Sequence, residues 1–322
     1  MSPYALTRTL PEDATGAALR SDVLAGLTGS PKTLPPKWFY DARGSELFDE
    51  ITTLPEYYPT RAEREILVAR AAEIAAATGA RTLIELGSGS SDKTRHLLAE
   101  FPELTHYVPV DVSESALRGA ARTLLAEHPA LAVHALVADF TRALELPPTP
   151  GPRLVAFLGG TIGNLLPEER AAFLTAVRGL LSPGDSFLLG TDLVKDEATL
   201  VAAYDDAAGV TAAFDKNVLA VVNRELGADF DLGAFEHVAV WNAGREWIEM
   251  RLRSTVAQTV KIPALDLAVT FAAGEELRTE VSAKFRREGV QAELAASGLE
   301  LTGWWADAAG RFALSSSSVP TP

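Results

Sequence analysis

TLIELGSGSSDKTRHLLAEFPELTHYVPVDV, residues 82–112, carries the pattern on which the fold turns. TLIEL (82–86) is an apolar run of strand length, glycines at 87 and 89 break it, and DKTRHLLAEF (92–101) reads as a helix. HYVPVDV (106–112) is a second apolar strand, ending in an acid. The alternation continues outward. ESALRGAARTLLAEH is helical, AVHALVADF (132–140) extended, RLVAFLGG (153–160) a strand, PEERAAFLTAVRGLL a helix and DSFLLGTDL (185–193) a strand. Repeated strand–helix units of this length predict a parallel sheet with right-handed crossovers and helices on both faces, whose ligands bind beyond the strand C-termini.

On either side of this region the pattern changes. Residues 1–60 are rich in turn signals, with Pro31, Pro35, Pro36, Pro55 and Pro59 limiting helix length, and read as an irregular arm with short helices. A long helix is expected from Thr60 as N-cap, with Glu63 in the capping-box position and Gly79 as its end. Residues 196–230 read as two helices, followed by strands at 247–260, 265–271 and 277–285; a helix and two strands then complete the first sheet. The expected organisation is an α/β domain of residues 61–195 plus 286–322, carrying a second α+β domain built from 1–60 and 196–285.

The chain has 322 residues, 47% of them hydrophobic and 22% charged, which suits a packed globular protein. Its net charge of −14 repels phosphate-rich partners, so neither nucleic acid nor an anionic membrane is an expected partner. There is no cysteine and the five histidines are scattered, so no metal site is expected. The first residues lack a basic start followed by an apolar stretch, and no apolar run approaches the ~18 residues that span a bilayer, which points to the cytoplasm.

A lone G-x-G at 87–89 is also an ordinary strand-to-helix turn, and the third glycine of the dinucleotide fingerprint is absent. The acids around it say more. Glu85 precedes the turn, Asp111 ends the second strand where a carboxylate can take both hydroxyls of a ribose, and Asp139-Phe140 ends the third, where an acceptor and an aromatic face suit an adenine. One such acid is commonly a solvated cap, but three in succession resemble the S-adenosylmethionine-dependent methyltransferases of the Rossmann-like class. A nicotinamide dehydrogenase stays open on fold grounds.

GGTIGN (159–164) follows the fourth strand, where methyltransferases of planar nitrogens commonly carry Asn/Asp-Pro-Pro-aromatic, so a different acceptor is implied. Asn164 can orient an amine or simply form a turn. In LRTEVSAKF, strand alternation sets Glu280 beside Ser282 with Arg278 and Lys284, which is either a solvated polar face or a match to two N–H groups of a small ring. Met250 reads first as core filling, and Tyr40, Tyr57 and Tyr204 as packing.

Six segments together carry a more specific resemblance: PKWFYDARGSELFDEITTLPEYYPT (36–60), ELGSGSSDKT (85–94), FLGGTIGN (157–164), LLGTDLVKD (188–196), YDDAAGVTAAFDKNVL (204–219) and FAAGEELRTEVSAKF (271–285). They resemble the L-histidine Nα-methyltransferases of ergothioneine biosynthesis over nearly the whole chain. That resemblance implies three methylations of the α-amine of L-histidine, giving hercynine, with S-adenosylmethionine as co-substrate, no metal, and a monomer acting on a small molecule. It implies that Tyr57 and Asn164 hold the α-amino and carboxylate end, with Tyr204 and Thr211 near the carboxylate; Tyr57, Asn164 and Tyr204 are then the catalytic set. Glu280 and Ser282 would bind the imidazole in a pocket walled by Tyr40 and Phe48 and lined by Met250. Glu85, Gly87, Ser88, Lys93, Asp111, Asp139 and Phe140 fall on the cofactor side. A methyltransferase of another amino acid or of a protein side chain, and a non-catalytic sensor of S-adenosylmethionine or of an amino acid, remain as alternatives.

Overall fold

All five residues of the strand Thr82–Leu86 are buried, as a strand covered on both faces requires. It belongs to a computed structural model that describes residues 3–11, 13–91, 93–142 and 144–320. In chain order the strands are β1 (Tyr4–Arg8), β2 (Lys32–Thr33), β3 (Thr82–Leu86), β4 (His106–Asp111), β5 (Ala132–Val137), β6 (Arg153–Phe157) and β7 (Ser186–Asp192). There follow β8 (Phe235–Asn242), β9 (Trp247–Ser254), β10 (Gln258–Ile262), β11 (Leu267–Phe271), β12 (Glu276–Ala283), β13 (Glu300–Ala306) and β14 (Phe312–Ser318). The helices are α1 (Ala14–Thr28), α2 (Ala42–Thr53), α3 (Pro59–Thr78), α4 (Thr94–Glu100), α5 (Glu114–Glu127), α6 (Pro167–Leu180), α7 (Glu197–Tyr204), α8 (Val210–Leu226) and α9 (Arg287–Ala296).

Two compact units emerge. The first takes residues up to Pro11, Pro59–Val194 and Phe285 onward, and holds one sheet in the order β1-β5-β4-β3-β6-β7-β14-β13. The strands from β1 to β7 in this sheet run parallel, and β14 inserts antiparallel to both β7 and β13. Successive strands step one way from β3 and the other way from β6, so the order reverses between β3 and β6, the crevice where open α/β sheets bind ligands.

The N-terminal strand differs from expectation. The expected second domain includes residues 1–60, yet β1 pairs in parallel with β5, Tyr4 opposite Val133. Tyr4 and Leu6 pack on Leu117, Ala135 and Val137, so the strand covers an edge that β5 would otherwise expose. Helix α3 also starts earlier than expected, at Pro59, a residue suited to a first helical turn. Glu63 is therefore not a capping residue; its side chain is fully buried and used elsewhere, as described below. Gly79, with φ of +54°, ends the helix as anticipated.

The second unit comprises Tyr58 and the residues before it from position 13, and Lys195–Lys284. Its sheet has the order β2-β12-β9-β8, with β10 and β11 forming a separate antiparallel pair. The arm is more regular than its prolines suggested, because none of them falls within 14–28: α1 runs fifteen residues and buries Leu19, Val23 and Leu27, four apart on one face. Strand β8 had no counterpart in the sequence reading; it is the half-exposed edge strand of this sheet. The core gathers Phe39, Phe214, Val218, Val222, Leu252 and Phe271.

Candidate active site

In the first unit, the turn after β3 is shaped by two residues that side chains disfavour. Gly87 and Gly89 have φ of +68° and +50°, and a Cβ on Gly87 would lie 3.2 Å from the Phe140 ring. Phe140 is fixed by Phe157 and Phe173, at centroid distances of 5.2 and 6.3 Å. Asp111, at the end of β4, accepts from Gly89 N at 3.0 Å and Ser113 N at 2.8 Å, which locks the carboxylate while leaving further lone pairs for a ligand. The Ser88 hydroxyl is buried with no hydrogen-bond partner among the described residues. Asp139 accepts from Thr141 N at 2.9 Å and from the Thr141 hydroxyl at 2.5 Å, holding the turn that presents Phe140.

Two residues expected on the cofactor side also have partners within the first unit. Glu85 is 4% exposed and accepts from Tyr107 Oη at 2.5 Å and from Thr94 Oγ1, so it braces the start of α4 from within. Burial pushes its pKa up to about 7, against those hydrogen bonds and the nearby Lys93 charge. Lys93 is ion-paired with the buried Glu63, whose other oxygen accepts from Gly159 N at 2.7 Å. Gly159 and Gly160, with φ of +81° and +68°, open the turn after β6 that presents the half-buried Asn164.

In the second unit, five aromatic residues converge. Tyr40 meets Phe48 at 5.5 Å and Phe214 at 5.3 Å, Phe48 meets Tyr57 at 6.1 Å, and Tyr57 meets Tyr204 at 6.3 Å, each near edge-to-face. The Tyr40 ring is half exposed, and its hydroxyl pKa is raised, first by desolvation and then by Glu280 and Tyr204. Tyr204 Oη and Ser282 Oγ are 2.8 Å apart, and Lys284 Nζ donates to both at 2.8 Å. Lys284 is only 3% exposed and also lies over the Tyr204 ring at 4.6 Å. Glu280, half-buried on the same strand, sits opposite Met250 of β9 in the register.

The structure thus brings together Tyr40, Phe48, Tyr57, Tyr204 and Ser282, with Glu280 near Tyr40. Met250 is 1% exposed and packs in the core, the first of the two uses open to it. Thr211 is buried at the start of α8, its N–H donating to Asp206 Oδ1 at 2.7 Å; these bonds hold the Asp206 carboxyl below its usual range despite burial. Asn164 lies in the other unit.

Three features escaped the sequence reading. Phe214 backs the aromatic shell from α8, at a spacing that any core phenylalanine would have. Lys284 was placed on the polar face with Glu280 and Ser282, but a lysine at a strand end ordinarily reads as solvated. Below Tyr204, His237 Nδ1 is 2.6 Å from Asp215 Oδ2 and its Nε2 is 2.8 Å from the Tyr204 carbonyl oxygen, while Thr279 donates to Asp215 Oδ1 at 2.5 Å. A register shift between Arg278 and Glu280 sets Thr279 out of the regular ladder.

Residues 19–319 match the family described as "Histidine-specific methyltransferase, SAM-dependent". The chain belongs to this family. It is 60% identical over 313 residues to the histidine N-alpha-methyltransferase of Mycolicibacterium smegmatis, covering 96% of this chain and 98% of that one. Similarity extends to ergothioneine biosynthesis protein 1 of Schizosaccharomyces pombe, at 32% over 65% of this chain and 29% of that longer protein. It also reaches the L-tryptophan methyltransferase trpM of Psilocybe serbica, at 30% over 92% and 91%. The Gly87–Gly89 turn, the Asp111 carboxylate that accepts from Gly89 N and the buried Ser88 hydroxyl lie together at the end of β3 and β4. Among the described residues no cluster of His, Asp and Glu is arranged to hold a metal, and no helix is long and apolar enough to cross a membrane.

Proposed function

We propose that this protein transfers methyl groups from S-adenosylmethionine to the α-amino nitrogen of L-histidine, three times in succession, giving hercynine as the first step of ergothioneine biosynthesis. One observation carries the reading: in a member of the histidine-specific family, Glu280 accompanies a buried Ser282–Tyr204–Lys284 cluster beside an aromatic shell. A carboxylate with a hydroxyl suits an imidazole, and the tyrosines suit the amine end.

When bound, S-adenosylmethionine supplies an electrophilic methyl group on its sulfonium. Asp111 would hold its ribose, and Phe140 and Asp139 its adenine. Tyr57 and Tyr204 would orient the amino and carboxylate groups of the substrate. An α-amino group of a peptide titrates near pH 8, roughly, so the substrate arrives largely protonated and must lose a proton before its lone pair can attack. His237 cannot serve as the base, because both ring nitrogens already face acceptors. Loss of the proton to water is then the simplest route, and alignment of nitrogen with methyl carbon lowers the barrier. The N–C bond forms as the C–S bond breaks. The rings of Tyr57 and Tyr204 then tolerate the growing cation through cation–π contact.

Mass spectrometry of histidine incubated with the enzyme and excess S-adenosylmethionine tests this. The expected end point is the trimethylated betaine, with about three S-adenosylhomocysteine molecules per hercynine, as three sequential displacements require. A reaction that stops at the monomethyl amine with donor remaining, or no reaction with histidine, overturns it.

A further inference from the structure

The hydroxyl pair at Tyr204 and Ser282 has more constraints than its two oxygens suggest. An ammonium has three donors and no acceptor, so Lys284 occupies a lone pair on each oxygen. At 2.8 Å one hydroxyl also donates to the other. Either oxygen could be the donor; with the more acidic phenol in that role, the hydrogen bond runs from Tyr204 to Ser282. Ser282 Oγ then accepts twice, from Lys284 and from Tyr204, and has no lone pair left. Towards a ligand it can only donate.

Resting on the function proposed above, we infer that Lys284 is a positioning residue that makes Ser282 an obligate donor beside the acceptor Glu280, so that the site selects the neutral imidazole of histidine in one tautomer. The ring gives its N–H to Glu280 and accepts from Ser282 at its bare nitrogen. An imidazolium carries N–H on both nitrogens, so it would set an N–H against the Ser282 proton and add a positive charge near Lys284. An indole has no acceptor nitrogen and would leave the Ser282 donor unpaired, the kind of loss by which hydrogen-bonding sites reject close analogues.

Other titratable groups surround the cluster. Glu280 shares β12, Tyr204 comes from α7, Tyr40 from the segment before α2, and the Asp215–His237 pair from α8 and β8; Glu249 on β9 is paired with Arg251. Any of these acts equally on two ligands that differ only in ring basicity. The test therefore compares histidine with 1,2,4-triazolylalanine, whose ring keeps an N–H and acceptor nitrogens but stays neutral in this range. Binding is measured by calorimetry in the presence of S-adenosylhomocysteine from about pH 5 to 8; the α-amine of a free amino acid, beside its own carboxylate, titrates above the peptide value of roughly 8, so both α-amines stay mostly protonated over this range.

The Kd for histidine should rise about tenfold per pH unit below the imidazole pKa of about 6.5, while that for the triazole stays level. In Lys284→Met, Ser282 regains a lone pair, and the histidine slope should flatten to less than threefold per unit. Equal slopes for the two ligands, or a histidine affinity independent of pH, overturn the inference even if the lysine variant fails to fold. Histidine that does not bind at pH 8 at all overturns the proposed function instead.

Discussion

His237 and Asp215 meet at 2.6 Å in the interior of the second unit, and the far nitrogen of the same imidazole reaches the backbone carbonyl of Tyr204. A carbonyl oxygen only accepts and a carboxylate does so when ionised, so the ring carries both protons. Burial works against that charge, but Asp215, through its hydrogen bond and its charge, and then the Tyr204 carbonyl outweigh it and raise the pKa of His237.

The consequence for stability has a definite sign. A histidine whose folded pKa lies above its unfolded value of about 6.5 contributes stability that is complete below that value and is lost as pH rises through the folded pKa. His237→Gln should therefore cost about 3 kcal/mol at roughly pH 6, the scale for breaking one side of a buried pair, and less as pH rises. Urea unfolding of both proteins across that range measures the gap. A gap that widens with pH would contradict the charged pair.

Much of the first unit was legible because β3 to β7 are short apolar runs punctuated by glycine and separated by helices, so period and breakers agree. The second unit was less so. Strand β8 is half-exposed and its alternation weak, and β1 finds its partner more than a hundred residues away, which no local pattern reports. The site divides likewise. Asp111 and the Gly87–Gly89 turn sit at strand ends, where position alone suggests chemistry. Glu85 has the same position but is drawn inward by Thr94 and Tyr107, and Lys284 is drawn inward by two hydroxyls; residue type and spacing do not encode either orientation.

Asp111 is held by two backbone N–H groups and, in the proposed function, would take the ribose on its remaining lone pairs. Asp111→Ala should weaken S-adenosylhomocysteine binding by about 1–3 kcal/mol, the scale of a lost charge-assisted hydrogen bond, with little change in thermal unfolding. Calorimetry gives the answer directly, and an unchanged affinity would remove Asp111 from the cofactor site.

Glu280 should matter to the other substrate. Glu280→Ala is expected to weaken histidine by about 1.5–3 kcal/mol, the range for hydrogen bonds to charged groups, and to leave S-adenosylhomocysteine affinity nearly unchanged. The variant should also discriminate less against other aromatic amino acids, since the shell of Tyr40, Phe48 and Phe214 remains. Wild-type efficiency on histidine would mean that the imidazole is held elsewhere.

Glu63 joins two turns of the first unit, and the surroundings leave no room for error. One oxygen accepts from Gly159 N at 2.7 Å, the side chain pairs with Lys93, and a Cβ on Gly190 would sit 2.5 Å from Oε1. Glu63→Ala strands a buried N–H and removes the partner of Lys93, so a loss of about 3 kcal/mol is expected; Glu63→Gln keeps an acceptor for Gly159 and should lose less. Gly190→Ala should cost about 1–3 kcal/mol by crowding alone, because its backbone angles are ordinary and only space is short. The two sites are then coupled in a specific direction. Alanine at 63 deletes the atom that a methyl group at 190 would strike, so the double alanine variant should be less destabilised than the sum of the singles, by more than the ~0.5 kcal/mol scatter of independent sites. Chemical unfolding of the four proteins in the cycle measures that coupling, and strict additivity would show that Glu63 is not the neighbour that keeps position 190 a glycine.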